Sequence, residues 1–120
     1  MTRAPPALSV ASMSTLTTAR DELADFGGRL IGPGDGDYDE ARAVYNAMID
    51  RRPGLIARPR DADDVAMAIR FARERDLPLA VRGGGHNGAG LGTVDDGVVI
   101  DLSMLTDIEV DPQARTVRVG

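Results

Sequence analysis

The apolar positions near the start of the chain have helical spacing. The stripe consists of Leu16, Leu23 and Phe26. Thr18 is suited to capping this helix, and Gly27 with Gly28 is suited to ending it. The residues before it are small, polar and interrupted by proline, so we predict a flexible tail and a first helix over residues 1–25.

A second helical pattern follows a glycine-rich loop at residues 32–37. Asp37 or Asp39 is placed to begin the helix, which is predicted to end before Pro53, since a residue preceding proline avoids helical geometry. The apolar positions at helical spacing are Ala41, Val44, Tyr45 and Met48. We expect both helices to pack on the core rather than to carry a site.

The next segment has the order strand, helix, strand. Residues 54–58 are typical of a short strand, and residues 79–81 of a buried one. Between them, Asp61 is suited to capping a helix. The apolar face of that helix is formed by Val65, Ala68, Ile69 and Ala72. Such a βαβ unit predicts parallel strands joined by a right-handed crossover.

More strands follow the βαβ unit. Residues 98–102 (VVIDL) predict one strand, and residues 108–110 and 116–119 predict a hairpin around a proline-containing turn. The fold class is therefore α+β. Because the strand pattern continues almost to Gly120, we expect residues 26–120 to form one partial domain whose C-terminal part is missing.

The composition excludes several classes of function. A net charge of −5 without a basic block argues against duplex nucleic acid or an anionic membrane as partner, and no stretch approaches the ~20 apolar residues of a membrane span. With no cysteine and a single histidine, a Cys-based or multi-His metal site is excluded within this chain. The absence of a convincing export signal favours a cytoplasmic location.

The chemically distinctive segment runs from Arg82 to Gly92, where six of 11 residues are glycine. Glycines after a strand let the backbone approach a ligand closely, and their N–H groups can surround a pyrophosphate. The spacing Gly83, Gly85, Gly88 also matches the dinucleotide fingerprint of nicotinamide-binding proteins. That fingerprint requires a helix at the glycines, for which the residues before the next strand leave no room.

His86 lies inside this segment and allows three interpretations. It could only hydrogen-bond within the loop, it could ligate a metal, or its neutral imidazole could bond covalently to a bound cofactor. A metal is the weakest of the three, because no second histidine or cysteine exists in the chain. The residues alone leave the choice open.

Four segments resemble one enzyme family. Residues 38–46 (YDEARAVYN), 49–53 (IDRRP), 81–87 (VRGGGHN) and 99–103 (VIDLS) are similar to the FAD-linked oxidases related to berberine bridge enzyme. The resemblance extends from about Phe26 to Gly120. It implies the FAD-binding domain of the p-cresol methylhydroxylase and vanillyl-alcohol oxidase type, of which this chain would be the N-terminal portion.

The resemblance also implies a site and a reaction. FAD would be held at Arg82, Gly83, Gly84, Gly85, His86, Asn87, Gly88 and Gly90. His86 stands where the family's histidine bonds to the flavin, and Arg82 would have an at least partly structural role. Enzymes of this type transfer a hydride from a small-molecule substrate to flavin N5, and most pass the electrons to oxygen. We assign no catalytic residue, since the family's substrate domain is not represented here, and no metal ligand, since the chain has no cysteine and only one histidine.

Two alternatives remain at this stage. The chain could be a non-catalytic truncated fragment that keeps the glycine loop, or a nicotinamide-dinucleotide-binding module. For residues outside the loop, a structural role is expected. Asp101 should hold the turn at its strand end, and Arg51 with Arg52 should form a solvated helix end.

Overall fold

The computed structural model describes residues 19–44, 46–83 and 90–119. Residues 19–22 are helical. The elements that follow are β1 (Arg29–Ile31), α1 (Tyr38–Arg42), β2 (Leu55–Arg58), α2 (Ala62–Glu74), β3 (Leu79–Arg82), β4 (Val98–Asp101), a 3-10 turn (Leu102–Met104), β5 (Ile108–Asp111) and β6 (Thr116–Val119). No helix in these described ranges is long and apolar enough to cross a membrane.

The central sheet has four strands in the order β1-β2-β4-β3. β1 is antiparallel to β2, whereas β2 and β3 are both parallel to β4. The predicted parallel direction of the two βαβ strands is therefore confirmed, although β4 lies between them. Because β3 is an edge strand, the prediction that it is buried is only half right: Ala80 is buried, but Leu79 and Val81 expose 36% and 53% of their surface.

The sheet is covered on both faces, which explains why its two middle strands are apolar without alternation. On one face, α2 and residues 19–26 pack against the sheet, and this part of the core is formed by Ala19, Leu23, Phe26, Leu55, Ala57, Ala68, Phe71, Ala72, Val98 and Ile100. The opposite face is covered by α1, whose Tyr38 and Ala41 pack with the sheet residues Ile31, Ile56, Ala80 and Val99. The hydroxyl of Tyr38 donates to the carbonyl of Pro53 at 2.7 Å, and burial raises the pKa of Tyr38 to about 12.

The helix α2 begins as predicted, with an Asp61 carboxylate oxygen accepting from the N–H of Asp64 at 2.9 Å. Asp64 itself is fully buried and accepts from the N–H groups of Gly27 and Arg60 at 3.0 and 2.9 Å. Burial alone would raise the pKa of Asp64, but these backbone donors outweigh it and hold the pKa below its usual value. The carboxylate thus ties α2 to the chain segment that enters β1.

The predicted length of the second helix is wrong. α1 ends at Arg42, Ala43 is extended with φ −64° and ψ 140°, and Met48 is 92% exposed. The physical reason is a contact from a distant strand: Nη2 of Arg82 donates to the carbonyl of Ala41 at 2.6 Å. In a longer helix that carbonyl would accept from the N–H four residues on, so Arg82 takes the place of the next helical turn.

The predicted hairpin of β5 and β6 is confirmed as a separate two-stranded sheet. Its register pairs Ile108 with Val119 and Val110 with Val117, so these four side chains share one face. Each of them is at least 60% exposed. The hairpin therefore presents an aliphatic face that no other described element covers.

Gly28 allows the close approach of the chain to β2, and its replacement by Ala is expected to destabilise the fold. An added Cβ would lie 1.8 Å from the carbonyl oxygen of Arg58, a backbone atom in the paired strand. The strands would have to separate, so we expect the free energy of unfolding to fall by about 1–3 kcal/mol, as for other overpacked positions. Gly34→Ala is the matched control, because nothing lies within 4 Å of its added Cβ. Equal denaturation midpoints for the two variants would contradict this contact.

Candidate functional site at the glycine segment

Residues 82–92, here called the glycine segment, connect the edge strand β3 to β4, which is the neighbouring parallel strand. Of the residues expected to hold a cofactor, Arg82, Gly83 and Gly90 are described by the structure. Gly84, Gly85, His86, Asn87 and Gly88 lie outside the described residues. The site is therefore built from its two stems, the chain entering the segment at Arg82 and the chain leaving it at Gly90.

The entering stem is held by a buried charge cluster. The side chain of Arg82 is 6% exposed, and its Nη2 donates to a carboxylate oxygen of Asp101 at 3.0 Å. The same oxygen of Asp101 accepts from Nε of Arg58 at 2.8 Å, while the other accepts from the N–H of Ser103 at 3.0 Å. Asp101 thus holds the turn after its strand, as expected, and also pairs with two arginines from neighbouring strands.

The charge state of Asp101 follows from these partners. Burial alone would raise its pKa, but the hydrogen bonds from Arg58, Ser103 and Arg82 outweigh burial and hold the pKa below its usual value. Arg82 therefore directs its side chain into the protein and its backbone toward the glycine segment. This arrangement agrees with the partly structural role expected for Arg82.

The leaving stem is held by Arg51, which the sequence interpretation placed wrongly at a solvated helix end. Nη1 of Arg51 donates to the carbonyls of Gly90 and Thr93, each at 2.9 Å. Gly90 has a φ of +78°, and an added Cβ there would lie 2.9 Å from Cδ1 of Ile49. The backbone conformation and the crowding both require glycine at this position.

The two stems meet each other. A Cβ added at Gly92 would lie 3.6 Å from Cγ of Arg82, so the chain leaves the segment beside the residue where it enters. At Gly83, by contrast, nothing lies within 4 Å of an added Cβ, and the residue is exposed. The described part of the segment thus combines an open backbone at Gly83 with two stems that are held by hydrogen bonds. This arrangement fits the close approach that a cofactor diphosphate needs.

One buried polar atom near the leaving stem has no partner among the residues that the structure describes. Thr93 is 1% exposed, and within the described ranges its hydroxyl makes no hydrogen bond. Sequence reasoning missed both Thr93 and the role of Arg51, since neither residue belongs to a recognisable motif on its own. Across the described residues, no group of three or more His, Cys, Asp or Glu side chains could hold a metal ion.

Comparisons with known proteins agree with this geometry. A family model described as an FAD binding domain matches residues 53–120, which is more than half of the chain. The chain is 38% identical over 93 residues to (R)-6-hydroxynicotine oxidase from Paenarthrobacter nicotinovorans, covering 78% of this chain and 20% of that protein. The chain thus spans about one fifth of the length of this relative.

Two solved structures have the same fold over most of the chain. BBE-like 1 from Physcomitrella patens superimposes with a TM-score of 0.76 at 29% identity, covering 84% of this chain and 22% of that one. Glucooligosaccharide oxidase from Acremonium strictum, described with a 6-S-cysteinyl, 8α-N1-histidyl FAD, superimposes with a TM-score of 0.73 at 22% identity. It covers 83% of this chain and 21% of that one, and at this identity it shows the fold alone.

The expected fold class is confirmed by these matches, which lie in the N-terminal part of the relatives. The glycine segment and both of its stems fall inside the region matched by the family model. The chain belongs to the FAD-binding domain family of the FAD-linked oxidases related to berberine bridge enzyme.

Proposed function

We propose that this chain supplies the diphosphate-binding segment and the flavin attachment residue of an FAD-dependent oxidase. The observation that carries the proposal is the fixing of both stems by buried or half-buried arginines, Arg82 through Asp101 and Arg51 through main-chain carbonyls. Fixed stems set the positions at which the chain enters and leaves the glycine segment before a ligand arrives, which lowers the entropy lost on binding.

In this proposal the backbone N–H groups from Gly83 onward surround the FAD diphosphate, and Gly90 closes the segment. His86 would bond covalently to the flavin. The histidyl FAD named for glucooligosaccharide oxidase is a precedent on the same fold. Because this chain contains no cysteine, it can supply a histidyl link but not the cysteinyl link also named for that enzyme.

The bound flavin supplies hydride acceptance from a small-molecule substrate, and we propose oxygen as the final electron acceptor. The name of the 38% identical relative, (R)-6-hydroxynicotine oxidase, supports this class of reaction. The nicotinamide alternative is disfavoured by the structure, because residues 90–97 contain no helix before β4 begins. The experiment must also distinguish the proposed FAD-binding chain from the other alternative, a fragment that keeps the glycine segment without binding FAD.

The test is acid precipitation of the purified chain after expression with FAD available. We expect the pellet to retain the flavin absorption spectrum, because a covalent bond survives denaturation. Flavin released into the supernatant would contradict the covalent link while supporting FAD binding. A protein that carries no flavin before precipitation would contradict the proposed function and favour the non-catalytic fragment.

A further inference from the structure

Arg51 is unusual among the arginines of this chain. Of the described arginines that are not fully exposed, four pair with a carboxylate: Arg42, Arg58, Arg75 and Arg82. Arg51 is half-buried, and within the described ranges no carboxylate lies at ion-pair distance from its guanidinium. A guanidinium withdrawn from water without a counter-charge is unfavourable unless an anion joins it.

The guanidinium of Arg51 also has spare hydrogen-bonding capacity. Its contacts to the carbonyls of Gly90 and Thr93 both use Nη1. Nε and Nη2 have no partner in the part of the chain that the structure describes, so three of the five N–H donors are uncommitted. Cζ of Arg51 lies 3.5 Å from the position of an added Cβ at Gly90, which places the guanidinium beside the leaving stem of the glycine segment.

A second, independent observation marks the same place. Thr93, whose carbonyl accepts from Arg51, is 1% exposed and carries a hydroxyl without a partner within the described ranges. A buried hydroxyl left unpaired is unfavourable, so it is suited to a ligand that brings an acceptor oxygen. Within the described ranges, Arg51 thus has uncommitted donors, and the residue whose carbonyl it contacts has an unpaired hydroxyl, a combination that is complementary to an anion with several oxygens.

We propose that Arg51 binds the diphosphate of FAD directly through its free donors, with Thr93 donating a further hydrogen bond from its hydroxyl. This inference rests on the proposed function, because it requires FAD at the glycine segment. Arg51 would then have two roles, fixing the leaving stem through Nη1 and neutralising phosphate charge through Nε and Nη2. Guanidinium groups are well suited to phosphate oxygens because their donors form a planar fork.

The test measures FAD affinity and its salt dependence in a His86→Ala background, where covalent attachment cannot fix the cofactor. Arg51→Gln is expected to weaken FAD binding about tenfold or more, the loss of one charge-assisted contact. It should also reduce the slope of log affinity against log salt concentration, since one screened charge contact has been removed. Arg51→Lys, which keeps the charge, should restore much of that slope.

Arg52→Gln is the matched control, because Arg52 is adjacent, exposed and changes the net charge equally. It should leave both affinity and slope close to those of the His86→Ala parent. If Arg51→Gln weakens binding but leaves the salt slope unchanged, Arg51 acts only through the stem and the inference is overturned. FAD binding that is equal in the parent and in Arg51→Gln also overturns it. Failure of the unmutated chain to bind FAD would instead overturn the proposed function.

Discussion

Replacing Asp101 with Ala is expected to lower the free energy of unfolding by about 3–5 kcal/mol. Asp101 is 2% exposed and pairs with both Arg58 and Arg82, whose guanidinium groups would lose their shared counter-charge. Removing one partner of a buried ion pair leaves an uncompensated charge, which is more damaging than losing a surface salt bridge. The N–H of Ser103 would lose its acceptor as well.

Chemical denaturation measures this effect, with Asp107→Ala as the control because Asp107 is exposed. The control is expected to stay within about 0.5 kcal/mol of the unmutated chain, as surface substitutions usually do. A loss for Asp101→Ala no larger than for the control would show that the cluster contributes little. We also expect less bound flavin in Asp101→Ala, since Arg82 begins the glycine segment.

The same carboxylate gives a pH dependence whose sign can be worked out. The pKa of Asp101 in the folded chain lies below its usual value, which is about 3.9 in an unfolded chain. Its contribution to stability is therefore fully present above the unfolded value and is lost as the pH falls through the folded value. Asp101→Asn should reduce the loss of stability over this acidic pH range. An unchanged dependence of stability on pH would show that other carboxylates cause the loss.

Replacing His86 with Ala is expected to abolish acid-stable flavin. His86 is the only histidine in the chain, and the chain has no cysteine, so no second side chain of these two types can form the bond. FAD bound to the variant should be detectable by its absorption before acid treatment. After acid precipitation this flavin should remain in the supernatant. The measurement is the ratio of pelleted to total flavin.

Asn87→Ala is the matched control for this prediction. Asn87 adjoins His86 and is expected to contact the cofactor, but it offers no nucleophile for the flavin. It should lower the amount of bound FAD without removing the acid-stable fraction. Acid-stable flavin in His86→Ala would place the covalent bond on a different residue.

Local sequence signals predicted the elements whose formation depends on near neighbours. Asp61 caps α2 through the N–H of Asp64, three residues away, and the hairpin forms around a turn of four residues between Asp111 and Thr116. The edge position of β3 depends instead on the insertion of β4 between β2 and β3. No pattern within residues 79–81 reports which strand lies outermost.

The wrong predictions near the site also arise from contacts between residues that are far apart in the sequence. α1 ends early because Arg82, 41 residues further along the chain, takes the carbonyl of Ala41. Arg51 was interpreted as a solvated helix end, but it contacts Gly90 and Thr93, which lie 39 and 42 residues away. The glycine segment itself was recognised from the sequence because its chemistry is concentrated in adjacent residues. The choice of FAD over a nicotinamide cofactor came from the family resemblance, since His86 alone allowed three interpretations.

Mass spectrometry of the tryptic peptide from Gly83 to Arg115 tests the central claim most directly. This peptide contains His86 and no internal arginine or lysine, so trypsin should release it intact. We predict a peptide whose mass is increased by FAD, less the hydrogens lost in forming the bond, with fragmentation placing the addition on His86. An unmodified peptide from a flavin-loaded chain, or an addition on another residue, would contradict the account.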